Sequence, residues 1–95
     1  MNINWSERAV EQLDKLLEAR KDFAGTVSAQ KAFWEIERLL ELAATQPKMG
    51  KPGTVKDTRE LYPLRYRLIY QIDKENVLNV IAILPQWQKW PVDDF

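Results

Sequence analysis

The chain contains no cysteine and no histidine in 95 residues. Without cysteine there is no disulfide framework and no thiolate nucleophile. Without histidine there is no imidazole general base. The two absences together remove the ordinary ligands of a structural zinc ion. A harder metal would need clustered carboxylates, and the acids here are scattered, so neither a metal nor a cofactor is expected. No run approaches the ~18 apolar residues of a membrane span. The opening MNINWSER lacks the basic-then-apolar order of a signal peptide. These exclusions predict a soluble cytoplasmic protein that makes no use of a membrane.

What is present is globular in composition: 45% hydrophobic and 29% charged, with only three glycines. Disorder would require lower hydrophobicity and a larger net charge. Residues 1–95 are read as one domain, and a chain of this size buries roughly 60–65% of its unfolded surface. The formal net charge is zero, but it is unevenly spread. Residues 1–47 carry six basic and eight acidic side chains, whereas residues 48–67 carry six basic and two acidic ones. That short basic segment suits either a solvated loop and strand face or an anionic partner, nucleic acid or acidic protein.

Residues 2–5 alternate polar and apolar, as a short strand does. Ser6 is a good N-cap, with Glu7 near the positive end of the helix that follows. Val10, Leu13, Leu16 and Leu17 give that helix an apolar face to about Lys21, and Gly25 punctuates it. A second helix is expected from about Val27 to Thr45, capped by Ser28 or Thr26. Its inner face would carry Ala29, Ala32, Phe33, Ile36, Leu39, Leu40 and Ala43. The short link implies an antiparallel helical hairpin. Gln46–Thr54 is then a loop, because the helix cannot pass Pro47.

Three strands should follow. The first runs from about Lys56 to Tyr62. The second, Arg65–Asp73, has Tyr66, Leu68, Tyr70 and Ile72 on one face and Arg65, Arg67, Ile69 and Gln71 on the other. Lys74–Asn76 makes a turn, and Val77–Leu84 is nearly all apolar before Pro85 ends it. The resulting fold class is α+β, an N-terminal helical hairpin packed on one face of a small, mostly antiparallel β-sheet. With only two helices available, the other face should be partly open, a cationic, aromatic-rimmed binding surface.

An ordered set of segments carries a resemblance: GKPG at Gly50–Gly53, TREL at Thr58–Leu61, YRLIYQID at Tyr66–Asp73, VIAIL at Val80–Leu84 and QKWP at Gln88–Pro91. Together with the helical hairpin they resemble the ParE/RelE superfamily of toxins from type II toxin–antitoxin pairs, over nearly the whole chain. The resemblance implies a cognate antitoxin that covers the active surface. A homodimer or a larger toxin–antitoxin assembly is compatible with it. It also implies one of two activities. RelE-type members cleave messenger RNA on the ribosome, whereas ParE-type members poison DNA gyrase by protein–protein contact.

In RelE-type cleavage, cations on the sheet activate the 2′-hydroxyl and stabilise the phosphorane. Arg67 matches one such position and is the catalytic candidate if the chain is RelE-like. The lysines expected on the preceding strand fall at Thr58 and Glu60, and the arginine expected after the last strand falls near Gln86. The C-terminal tyrosine is replaced by Val92 or Trp90. Arg59 and Arg65 are available as substitute cations, but Glu60 would oppose a scissile phosphate. TREL and the terminal WP resemble the ParE branch instead, except that Pro85 stands where that branch often has histidine. The expectation is therefore a gyrase-directed binder and not a catalyst. A RelE-like ribonuclease is the alternative, and an inactive interaction module of the same fold is the third.

The partner-binding candidates are Arg59, Arg65, Arg67, Trp87 and Trp90. Arginine can hold a carboxylate or phosphate bidentately, and tryptophan is enriched at interface hot spots. Two of them have a structural counterpart reading. Arg59 could pair with Asp57, and Trp90 could fold back onto the sheet. Tyr66, Tyr70, Trp5 and Trp34 are read as core, and Lys48, Lys51 and Lys56 as solvated.

Overall fold

A computed structural model describes residues 2–91. Strand β1 (Ile3–Trp5) leads into helix α1 (Glu7–Ala24), and helix α2 (Thr26–Thr45) returns antiparallel to it. Four strands follow: β2 (Lys51–Pro52), β3 (Arg59–Leu61), β4 (Tyr66–Ile72) and β5 (Leu78–Pro85). They form one five-stranded sheet in the order β1-β5-β4-β3-β2. Strands β2 to β5 pair antiparallel, while β1 returns parallel to β5.

The Ser6 hydroxyl caps α1 by accepting from Ala9 N at 3.0 Å and donates to the Ile81 carbonyl at 3.1 Å. A single residue, Gly25, turns the chain between the helices at φ 93°, where a side chain would be strained. The N-cap of α2 is thus Gly25, not Ser28 or Thr26, and no side chain caps that end. The buried face of α2 is Ala32, Ile36, Leu40 and Ala43. Ala9 takes the inner position on α1 and Val10 is exposed. Trp34, expected in the core, is 62% exposed, because it lies outside that face of α2.

The helices cover one face of the sheet through Leu61, Leu68, Tyr70, Leu78, Val80 and Ile83. Fully burying an aliphatic side chain of this size stabilises by roughly 1.5–3 kcal/mol. A bulge in β5 changes which of its residues face each side of the sheet. Ile69 pairs with Ala82 but Tyr70 with Val80, so Ile81 is an extra residue and the side-chain alternation changes phase there. Val80 and Ile83 therefore face the helices, while Ala82 and Leu84 face away. The displaced backbone is anchored from α1. Ser6 N donates to the Val80 carbonyl, and the Gln12 side chain accepts from Ile83 N at 2.9 Å.

The far face is not open. Ile69, Ala82 and Leu84 form a second small core with Trp90, and Val55 and Ile81 pack against it. The strand expected over Lys56–Tyr62 shrinks to Arg59–Leu61. Asp57 adopts φ 64°, and Thr58 folds back on Val55 through both its N–H and its hydroxyl. Part of the expected loop pairs with β3 as β2. Arg65 closes a 3₁₀ turn (Pro63–Arg65) before β4 begins, so it is not on the strand.

Candidate functional site

Glu60 and Arg67 sit on the far face of neighbouring strands. Glu60 is opposite Ile69, so Arg67 is its diagonal neighbour on the same side of the sheet. Arg67 grips the carboxylate with two donors, Nε at 2.8 Å from Oε1 and Nη2 at 3.1 Å from Oε2. Tyr62 donates its hydroxyl to Oε1 at 2.7 Å, and the Thr54 N–H reaches Oε2 at 3.4 Å. The other guanidinium contacts of Arg67 go to Thr54 Oγ1 and to the Gln88 carbonyl in the tail. The side chains of Glu60 and Arg67 are only 3% and 17% exposed.

Electrostatics follow from this enclosure. Burial acts to raise the Glu60 carboxyl, but the bonds from Arg67, Tyr62 and Thr54 outweigh it and hold the group below the usual carboxylate range. The bond to Glu60 raises the Arg67 guanidinium further, and the same carboxylate raises the Tyr62 hydroxyl. The cluster is a satisfied ion pair, charged on both members at neutral pH. An anion could take the bidentate Nε–Nη2 edge of Arg67 only by displacing Glu60.

The structure separates the other candidates. Arg59 is on the helix side of β3, where Nη1 donates to the Gly50 carbonyl at 2.8 Å and to the Lys48 carbonyl at 3.3 Å. It ties down the loop and does not ion-pair with Asp57. Arg65 is exposed, and its carbonyl accepts from Gln86 N at 2.8 Å, which draws the tail beside the 3₁₀ turn. Trp87, on that tail, is 84% exposed, whereas Trp90 is 5% exposed in the second core. Arg65, Arg67 and Trp87 thus gather where β4 begins and β5 ends, with Arg59 elsewhere and Trp90 inward. Val92 lies outside the described residues. Thr58 and Gln86 stand at the positions expected to be cationic, and the Thr58 hydroxyl is committed to the Val55 carbonyl.

Tyr70 is core with a polar tip. Its hydroxyl donates to the Pro47 carbonyl at 2.8 Å and accepts from Gly50 N at 3.0 Å. Sequence reasoning missed Thr54 and Tyr62 as partners of Glu60. The signal for Tyr62 was its two-residue spacing from Glu60, which on the strand expected over Lys56–Tyr62 puts both on one face. Among the described residues no cluster of acids could hold a metal ion, and no helix is long and apolar enough to cross a membrane.

Comparison with known proteins agrees with this architecture. The chain is 28% identical over 92 residues to the Sinorhizobium fredii protein Y4kP, a toxin by name, covering 94% of this chain and 92% of that one. Its fold is similar to a structure from the chromosomal ParDE system of P. aeruginosa, with TM-score 0.77 and 18% identity over 90% of this chain and 95% of the other. It is also similar to a chain of the E. coli RelBE toxin–antitoxin complex, with TM-score 0.63 and 20% identity over 92% and 98% of the two chains. The family model for the ParE toxin of the type II toxin–antitoxin system parDE matches residues 3–90. This protein belongs to the ParE toxin family of type II toxin–antitoxin systems.

Proposed function

We propose that the protein acts in the cytoplasm as a gyrase inhibitor, working by protein–protein contact and neutralised by a cognate antitoxin. The observation that carries this reading is the Glu60–Arg67 pair. A RelE-like ribonuclease would need Arg67 free to meet a phosphate, yet its guanidinium is held bidentately by a buried carboxylate. Exchanging that partner for a phosphorane would leave the buried Glu60 with only the Tyr62 hydroxyl and the Thr54 N–H, a cost of about 2–3 kcal/mol against the reaction. The other cation positions, Thr58 and Gln86, hold no charge. The contact surface would be the exposed end of the sheet, with Trp87 as apolar anchor and Arg65 beside it; Arg67 would support the tail through the Gln88 carbonyl. Arg59 and Trp90 would contribute by shaping the loop and tail.

The test is a supercoiling and cleavage assay with purified gyrase, run beside a ribosome-dependent transcript-cleavage assay. Inhibition with accumulated cleaved DNA, weakened in Trp87→Ala, is the expected result. Transcript cleavage without any effect on gyrase would replace this reading with the ribonuclease. Silence in both assays, at high excess of folded protein, would leave an inactive module and refute both activities.

A further inference from the structure

Strand β3 pairs with β4 only from Arg59, opposite Tyr70, while β4 runs on to Ile72. The missing strand length leaves a cleft of about 670 Å³ between the 47–59 loop and the far end of β4. Lys48, Lys56, Arg59 and Lys74 line it, and Val55 and Ile72 supply apolar surface. We propose that this cleft is a docking site for an acidic, partly apolar peptide segment of a protein partner.

Three observations support that occupant. First, Arg59 is pre-oriented: the Lys48 and Gly50 carbonyls hold Nη1, which leaves Nε and Nη2 for a ligand carboxylate. Little side-chain entropy remains to be lost when the ligand binds. Second, the charge balance favours an anion. Four cations line the cleft against Asp57 and Asp73, and Asp73 is already occupied. Its Oδ1 accepts from Glu75 N and Val77 N, and its Oδ2 from the Asn79 side chain. Third, the cleft lacks what single-stranded nucleic acid uses. Its one aromatic, Tyr70, is fully buried with its hydroxyl committed, so no ring face is offered for base stacking. Val55 and Ile72, by contrast, give an aliphatic side chain a place to bury between two carboxylate contacts.

The cleft lies away from the Arg65–Trp87 end of the sheet, and the inference does not rest on the gyrase reading. It is tested without gyrase, by fluorescence anisotropy of the intact protein with a short labelled peptide of alternating glutamate and valine. A thymidine oligonucleotide of equal length serves as comparison. The expected result is saturable peptide binding, weaker at physiological than at low ionic strength, and tighter than binding of the oligonucleotide. Lys56→Glu with Lys74→Glu reverses two exposed charges and should weaken binding at least about tenfold. Arg59→Gln should weaken it as well. Because Arg59 also tethers the loop, the lysine pair is the variant that decides. No saturable peptide binding, tighter oligonucleotide binding, or unchanged affinity in the lysine double variant would each overturn the proposal.

Discussion

Replacing Arg67 by methionine keeps most of the side-chain volume and removes the charge. Glu60, 3% exposed, would then retain only the Tyr62 hydroxyl and the weaker Thr54 N–H. Breaking a buried pair by deleting one partner typically costs ~3–5 kcal/mol. Arg67 is partly solvated and Glu60 keeps one strong donor, so about 2–3 kcal/mol is expected here. Against a total stability of roughly 5–15 kcal/mol that is a large fraction, about 10–20 °C in Tm for a domain of this size. Adding Glu60→Gln to Arg67→Met should recover more than half of the loss, because the stranded charge is gone. Urea unfolding at neutral pH measures both variants. Acid unfolding supplies an independent sign. Glu60 is held below the ordinary carboxylate range, so its contribution is fully present above the unfolded glutamate pKa of about 4.3 and is lost as pH falls through its lower folded value. Glu60→Gln should therefore flatten the acid limb of the stability curve below about pH 4. If Arg67→Met stays within about 0.5 kcal/mol of the parent, or if adding Glu60→Gln deepens the loss, the ion pair does not hold the far face together.

Ser6→Ala removes both the cap on Ala9 and the bond to the bulge carbonyl of Ile81, and should cost about 1–2 kcal/mol by thermal unfolding. Tyr70→Phe loses the hydroxyl that holds Pro47 and Gly50; about 1–2 kcal/mol and faster amide exchange over residues 48–51 are expected. Gly50→Ala would set a Cβ 2.9 Å from the Tyr70 ring and from the Glu60 carbonyl, an overpacking cost of about 1–3 kcal/mol seen as a lowered urea midpoint. Trp87→Ala and Trp90→Ala should separate cleanly in calorimetry: the first within about 0.5 kcal/mol of the parent, the second lower by about 3–5 kcal/mol.

The helices were legible because each depends on local chemistry. Ser6 precedes an amphipathic run, and Gly25 is the one position between the two runs able to take positive φ. The strand pairing from Arg59 to Pro85 was legible in outline for the same reason, through alternation and the Lys74–Asn76 turn. The bulge at Ile81 was not, because an all-apolar strand has no polar positions to mark a change of phase. Trp34 and Trp90 were hard to place because aromatic size signals burial without saying against what; the contacts that decide lie far away in sequence. The candidate site was half visible. Glu60 and Arg67 each stood out, one as an opposing acid and the other as a retained cation. That they neutralise each other depends on strand register, which fixes them as diagonal neighbours. Thr54 joins them only because the loop folds back over Val55 and Thr58.

Strand β5 touches α1, β1 and β4, yet follows all of them in the chain. Ser6 reaches a carbonyl 75 residues away. During synthesis, therefore, the hairpin can cover only the β2–β4 part of the sheet, and β1 has no strand to join, until Leu78–Pro85 has left the ribosome. Such long-range closure slows folding. On the gyrase reading proposed above it also has a temporal meaning: a nascent chain would lack the finished sheet end that carries Trp87, so contact with gyrase would wait until translation has passed β5. Stalled chains ending before Leu78 would be cut readily by protease, while chains extended beyond Pro91 and clear of the exit tunnel would resist.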